Sequence, residues 1–485
     1  MTSSAFASAC ARRLFSNWFT EDHAPGAFYT VSSPDGILAE GDFGRYDDHG
    51  NRPRHDTAFR IASCTKSFTA AAILMLRDRG LLSLDDDMAG FVPELVVTRR
   101  AGHQPVLTIR MLLTMAGGLG TDDAWADRQE SLSNSEFRNM LAAGIRFVST
   151  PGTRFEYSNL GYALLGQVIE AVTGTPFRQV IHSELLGPLA LTSTGFDVDV
   201  RARGGIATGF RRSANRWQPE PFSRPGAFSP IGGVFSTAAD LSRWGQWLSG
   251  GFSESADETA VLSRASRREM QQSHRLTGST TNSMPTTSTW APQGYGYGLV
   301  VHLHPRHGPI ISHSGGYPGF GSHMRWHPSS GLAIIALANA TYANVAHPAA
   351  KTLEILLEDH PSDASRFQLE ELWSETRTAR TDVEALVKKW DDGLAARILA
   401  DNARLDEPLE RRRERLAELL EETGPVMASS DSLPDSSFSA SPAHLRWTIP
   451  AERGKLECEI RLHPLNPPKI QMMRFATHPQ NSSVC

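Results

Sequence analysis

The spacing of apolar residues changes several times along this chain, and each change predicts a different layer of structure. Two short apolar runs, Ala24 to Val31 and Ile37 to Gly44, flank a Pro34-Asp35-Gly36 turn and predict a pair of strands. Ser67 to Arg79 is largely apolar on every face and stops at Gly80, the pattern of a fully buried helix. From about 81 to 290 the pattern is helical, broken by loops. Thr108 to Met115 predicts a short amphipathic helix ending at Gly117-Gly118, Asn159 to Thr173 a longer one closed by Gly174, and Ala238 to Leu248 a third. The Ser/Thr-rich residues 277–291 read as a loop. Strand character returns in Tyr295 to His302, Pro309 to His313, Gly321 to Trp326 and the continuous apolar run Leu332 to Asn339.

Strands at both ends of this stretch with helices between them imply an α+β fold. One antiparallel sheet is built from both ends and flanked by helices, and an all-helical insert completes it. After about residue 350 charged helices are expected over 369–400 and 407–422. A Ser/Pro-rich linker follows at 427–442, then two or three strands, drawn from Leu445 to Ile449, Leu456 to Leu462 and Lys469 to Phe475. The expected organisation is one domain over 1–350 and a small C-terminal α+β domain over 351–485. Met1 to Arg13 lacks a basic start and an apolar stretch, so an amphipathic first helix is expected there rather than a signal peptide.

At 485 residues the chain is too long for one compact core. A net charge of -5 supplies no basic footprint for nucleic acid or an anionic membrane, and no run of apolar residues is long enough to span a bilayer. Cys10, Cys64, Cys458 and Cys485 are scattered, with no C-x-x-C pair, which argues against a disulfide framework or a metal site. A cytoplasmic chain without cofactor or metal is the expectation.

Among 48 Lys plus Arg residues, one lysine alone, Lys66, precedes residue 350, and it follows Ser63 by three. One helical turn puts the two on one face. Arginine stays charged in a protein, whereas a desolvated lysine can become a neutral base for a serine nucleophile. A site of this kind needs two more parts. Tyr157-Ser158-Asn159, just before a helix, supplies a hydroxyl whose pKa the nearby lysine is expected to lower, and an amide to bridge Lys66 and a substrate carbonyl. Tyr342-Ala343-Asn344 repeats the pattern but shows no helix start, so the first copy is preferred. His313-Ser314-Gly315-Gly316 ends a strand, where glycines let the backbone approach the nucleophile; the Gly316 and Ser63 N–H groups would bind an oxyanion.

Ser63-Cys64-Thr65-Lys66, Tyr157-Ser158-Asn159 and His313-Ser314-Gly315, in that order, resemble the three motifs of the penicillin-recognising serine hydrolases. The branch is that of class C β-lactamases, D,D-peptidases, D-aminopeptidases and small-ester esterases, and the resemblance spans roughly residues 20–345. It implies a β-lactamase/D,D-peptidase-like fold, Ser63 as acylated nucleophile, Lys66 and Tyr157 as proton relay, and Asn159, His313, Gly315 and Gly316 around substrate and oxyanion. His313 stands where most β-lactamases of the group carry lysine, which lowers the expectation of β-lactam turnover. The loop Gly118 to Arg128 lies where relatives shape their pocket. Asp122 and Asp123 are candidates to meet a substrate amine and Trp125 to wall the pocket, with a solvated acidic loop as the plainer reading. The C-terminal segment has too few strands for the eight-stranded barrel some relatives append. The activity implied is hydrolysis of small esters or of D-amino-acid-containing peptides and amides. The alternatives are acyl transfer or thioesterase chemistry at the same site, a β-lactamase, and a non-catalytic penicillin-binding-like scaffold. The expected partner is a small-molecule or peptide substrate.

Overall fold

The apolar run at 332–339 has no polar face because the strand it forms, Ala333–Ala338, is covered on both sides. Ile334, Ala336 and Ala338 enter one core, and Ala333, Ile335 and Leu337 the other. In this computed structural model the described residues are 3–96, 106–196, 202–253, 259–277, 292–359, 372–427 and 437–479. The chain divides into two compact units, Met1–Ser362 and Asp363–Cys485.

The first unit holds an eight-stranded sheet. Its strands are β1 (Gly26–Ser33), β2 (Gly36–Gly44), β3 (Arg275–Leu276), β4 (Gln293–Tyr295), β5 (Val300–His304), β6 (Gly308–Tyr317), β7 (Phe320–Trp326) and β8 (Ala333–Ala338). They lie in the order β2-β1-β8-β7-β6-β5-β4-β3, every pair antiparallel. The N-terminal hairpin thus adds beside the last strand of a meander, as the strand pattern predicted. On one face lie α1 (Ser4–Thr20) and, near the end of the unit, a helix over Ala346–Asp359, packed around Phe15, Tyr29, Leu353 and Leu357. The other face carries α2 (Thr65–Asp78), α3 (Asn159–Thr173) and α4 (Ala238–Ser249). Every residue of α2 from Thr65 to Leu76 is buried, which accounts for its apolar circumference.

Three expectations are corrected, and a fourth falls almost wholly outside the described residues. Tyr295 to His302 is not one strand but the hairpin β4–β5. Gly298 turns the chain at φ +68°, and a Cβ there would stand 2.5 Å from the Lys66 carbonyl oxygen, so the turn is pressed onto the start of α2. β6 runs on past His313 to Tyr317 because β7 pairs with it that far. A domain boundary at 350 would cut the helix Ala346–Asp359, which the first unit keeps as α5. The loop expected at 277–291 lies almost wholly outside the described residues.

The second unit contains a three-stranded antiparallel sheet of β9 (His444–Ala451), β10 (Gly454–Leu462) and β11 (Ile470–Pro479). The charged stretch 369–400 is broken in two, 407–422 gives the single helix Leu409–Thr423, and a short helix stands between them. Asp391 caps a new start by accepting the Leu394 N–H at 2.7 Å, and Pro408 precedes another, which gives α6 (Ser374–Lys388), α7 (Asp392–Ile398), α8 (Asp401–Asp406) and α9 (Leu409–Thr423). Val383, Leu416, Trp447, Leu456 and Cys458 share its core. Residues 428–436 of the expected linker lie outside the described residues. Its end does not behave as a linker, since Phe438 bridges to Arg446 and Ser439 is buried.

Candidate active site

Ser63 reaches the surface of α2 through a short ribbon and a strained turn. Phe59–Arg60 pairs with Val234–Ser236, and the Ile61 N–H donates to the Val234 carbonyl at 2.9 Å. Ala62 then takes φ 48°, a left-handed conformation that a residue with a Cβ adopts at a cost of about 1 kcal/mol or more. The single 3-10 turn Ala62–Cys64 runs directly into α2 and leaves Ser63 half-buried between two fully buried neighbours. It sits at the helix end that favours negative charge.

β6 lies against this turn. A Cβ on Gly315 would stand 2.3 Å from the Ile61 carbonyl oxygen and from Ser322 Oγ, so only glycine lets strand and turn approach this closely. β5 pairs with β6 no further than Ser312, and from His313 onward β7 is the neighbouring strand.

Lys66 is fully buried. Its Nζ donates to Ser63 Oγ (3.0 Å), Asn159 Oδ1 (2.6 Å) and the Ile231 carbonyl oxygen (3.0 Å). The last two oxygens can only accept. A neutral amine therefore keeps both of those bonds and directs its lone pair at Ser63. Burial lowers the lysine pKa to about 8, opposed by the negative charges of Asp127, Asp123 and Asp122.

Tyr157 lies with its ring centre 5.1 Å from Lys66 Nζ and its hydroxyl in hydrogen-bonding reach of Ser63. Burial first, and then the Asp123 charge, hold the phenol well above its ordinary pKa. The expected lowering by lysine is thus corrected: Tyr157 is held as a phenol, suited to donate a proton rather than to accept one.

Asn159 is oriented from both sides, its Oδ1 by Lys66 and its Nδ2 by Asp123 Oδ1 at 2.8 Å. Asp122 accepts the backbone N–H groups of Asn159 (2.7 Å) and Leu160 (2.9 Å). The acids read as candidates for a substrate amine are therefore engaged by α3: Asp122 satisfies the helix start and Asp123 fixes the Asn159 amide. The loop is not simply solvated either, because Asp123–Ala126 forms a helical turn and Trp125, 45% exposed, meets the Phe228 ring edge-on.

His313 is buried and neutral, its pKa pushed down to about 3 by burial and by Lys66. Its tautomer follows from its partners. The Ser314 carbonyl, 2.6 Å from Nδ1, can only accept, so Nδ1 carries the proton and Nε2 accepts from the Tyr295 hydroxyl at 3.2 Å.

The sequence reading missed the Ile231 carbonyl and Tyr295, left Asp127 within the acidic 118–128 loop and passed over Tyr342. The Tyr342 hydroxyl donates to Asp127 Oδ2 at 2.9 Å, and burial pushes Asp127 up to about 6. The Tyr342 ring stands where a Cβ on Gly316 would meet it at 2.7 Å. The second Tyr-x-Asn copy does precede a helix, since Asn344 Oδ1 accepts the Ala346 N–H at the start of α5.

An antiparallel sheet flanked by helices, with a serine–lysine pair at the start of a buried helix facing one of its strands, defines the class of β-lactamase and penicillin-binding-protein folds. The chain belongs to the Beta-lactamase family, whose profile matches residues 11–359. It is 28% identical to Protein flp of Staphylococcus aureus (strain MRSA252) over 325 residues, 65% of this chain and 60% of that one. The chain thus spans about 60% of the length of the curated relatives first matched. The octameric penicillin-binding protein homologue from Pyrococcus abyssi shares the fold with a TM-score of 0.61 at 20% identity, over 93% of this chain and 96% of that one. EstCE1, a hydrolase with promiscuous acyltransferase activity, does so with 0.57 at 20% identity, over 72% and 97%. Among the described residues no helix is long and apolar enough to cross a membrane.

Proposed function

We propose that this chain is a serine hydrolase that acylates Ser63 with an ester or amide substrate and then releases the acyl group to water. The observation that carries this reading is the Lys66 environment: two acceptor-only oxygens and the Ser63 hydroxyl around a buried amine whose pKa is lowered to about 8. Neutral Lys66 takes the Ser63 proton as Oγ attacks the carbonyl. The Ser63 and Gly316 N–H groups receive the oxyanion, helped by the start of α2. The Tyr157 phenol gives a proton to the departing oxygen or nitrogen, and water reverses the sequence to free the serine.

The substrate preference follows from charge. His313 supplies no cation, and Asp122, Asp123 and Asp127 outnumber Lys66. A substrate carboxylate would meet net negative surroundings, so uncharged or amine-bearing acyl groups fit better than β-lactams. Small esters and aminoacyl amides, including D-aminoacyl ones, are the class proposed. Transfer to an acceptor other than water needs no further residue, and the acyltransferase activity of EstCE1 lends that extension support.

The test combines intact-mass detection of a fluorophosphonate adduct with turnover of p-nitrophenyl esters, D- and L-aminoacyl amides and nitrocefin. Labelling of wild type and not of Ser63→Ala, with esters or aminoacyl amides turned over faster than nitrocefin, is expected. Absence of any adduct on folded wild-type protein would remove the enzyme reading in favour of a scaffold.

A further inference from the structure

Behind the site lies a buried carboxylate that the reaction above does not use. Glu130 is 1% exposed, and its Oε2 accepts from Arg60 Nη1, from Ser223 Oγ and, at 2.8 Å, from the Tyr317 hydroxyl. Arg60 is equally buried. Its guanidinium lies between the rings of Tyr317 (4.4 Å) and Phe235 (4.8 Å). The other oxygen of Glu130 faces Gly233, where a Cβ would come within 2.6 Å of it.

The positions of these partners along the chain give the network its meaning. Arg60 stands three residues before Ser63, on the ribbon that delivers the nucleophile. Tyr317 follows Gly316 on β6, and Gly233 lies two residues after the Ile231 carbonyl that holds Lys66. One buried anion thus touches the three segments that carry the serine, the proposed oxyanion donor and the lysine acceptor. These segments are far apart in sequence, and Ala62, between Arg60 and Ser63, is held in a left-handed conformation that needs support from its surroundings. A charged hydrogen-bond acceptor fixes donor distances more tightly than apolar packing does.

We infer that Glu130 is a positioning residue, which through Arg60 and Tyr317 sets the separation of Ser63 from the Gly316 N–H. This inference rests on the acyl-enzyme reading given above. It concerns registration within the site and not an added chemical step.

The test compares two variants that each remove one donor from Glu130. Tyr317→Phe frees the β6 side, whereas Ser223→Ala removes a hydroxyl that also lies 3.3 Å from Arg60 Nη1 and from the Tyr317 hydroxyl but leaves the Arg60 and Tyr317 bonds to Glu130 in place. Each is read by its rate of fluorophosphonate labelling, by kcat and KM on p-nitrophenyl butyrate, and by its thermal midpoint. Tyr317→Phe is expected to slow labelling and lower kcat about ten- to a hundredfold with KM and midpoint little changed, because small misplacements of reacting groups have effects of that size. Ser223→Ala is expected to label within about twofold of wild type. Equal rates in the two variants, or a Tyr317→Phe rate equal to wild type, would overturn the inference and leave Glu130 a structural residue. Should Tyr317→Phe fail to fold, Glu130→Gln, which keeps an acceptor and loses the charge, is judged by the same kcat criterion. Wild-type protein that does not label at all would instead remove the acyl-enzyme reading.

Discussion

Two buried cations flank Ser63, and the protein treats them in opposite ways. Arg60 is 1% exposed and Lys66 0%, so both have lost their hydration. Arg60 recovers the loss through direct contact with a carboxylate and two aromatic faces. Lys66 is given only uncharged oxygens as hydrogen-bond partners among the described residues, and its nearest carboxylates act on it from further away. Burial with a counter-ion fixes a charge, and burial without one makes the charge exchangeable. The choice of residue matches: arginine keeps its proton at any ordinary pH, whereas lysine can release it. In the reaction proposed, one cation holds the site together and the other moves a proton through it.

The comparison breaks most completely if the two are made alike. Lys66→Arg preserves charge and bulk but not the exchangeable proton, and acylation should fall by about 10² to 10⁴, the usual contribution of a general base. Single-turnover release of p-nitrophenol from an ester measures it. Near-wild-type acylation would show that some other group takes the serine proton. The converse change, Arg60→Met, keeps much of the volume and strands Glu130 as a buried unpaired anion. Removing one partner of such a pair costs roughly 3–5 kcal/mol, so the urea midpoint should drop markedly. A loss below about 1 kcal/mol would mean that the ion pair is not what holds the nucleophile ribbon.

The contrast also explains what the sequence disclosed. Ser63 and Lys66 were legible because their relation is local, one helical turn within an apolar helix. The β6–β8 meander was legible because its short strand-like runs, ending in the continuous apolar run 332–339, are bounded by turn residues. Glu130 and Tyr317 were not, since the chain separates them by 187 positions and each looks like an ordinary residue on its own. Ile231 contributes a carbonyl that any residue at that position would supply. The β4–β5 turn was read as strand because Gly298 takes its sign of φ from the helix pressed against it, which neighbouring residues do not encode. The place of His313 in its motif was legible, but its tautomer depends on Tyr295 across the sheet. The second unit showed its strands and hid its helix break at Asp391 inside a long charged run.

The finest version of the comparison asks how far the distant carboxylates keep Lys66 charged. In the proposed reaction neutral Lys66 is the reactive form, so acylation should rise with pH and reach half its limit near pH 8. Asp127 is the largest of the charges that favour the protonated amine, and its own pKa of about 6 leaves it ionised throughout that limb. Asp127→Asn removes that charge at nearly constant volume. The lysine pKa must then fall, and the limb of the pH–rate profile should move to lower pH. Tyr342→Phe is the matched control. It deletes the hydrogen bond to Asp127 and raises the carboxyl pKa, but Asp127 stays largely ionised near pH 8, so the limb should stay close to its place. A limb that does not move in Asp127→Asn, or that moves equally in Tyr342→Phe, would show that the Asp127 charge does not help to keep Lys66 protonated.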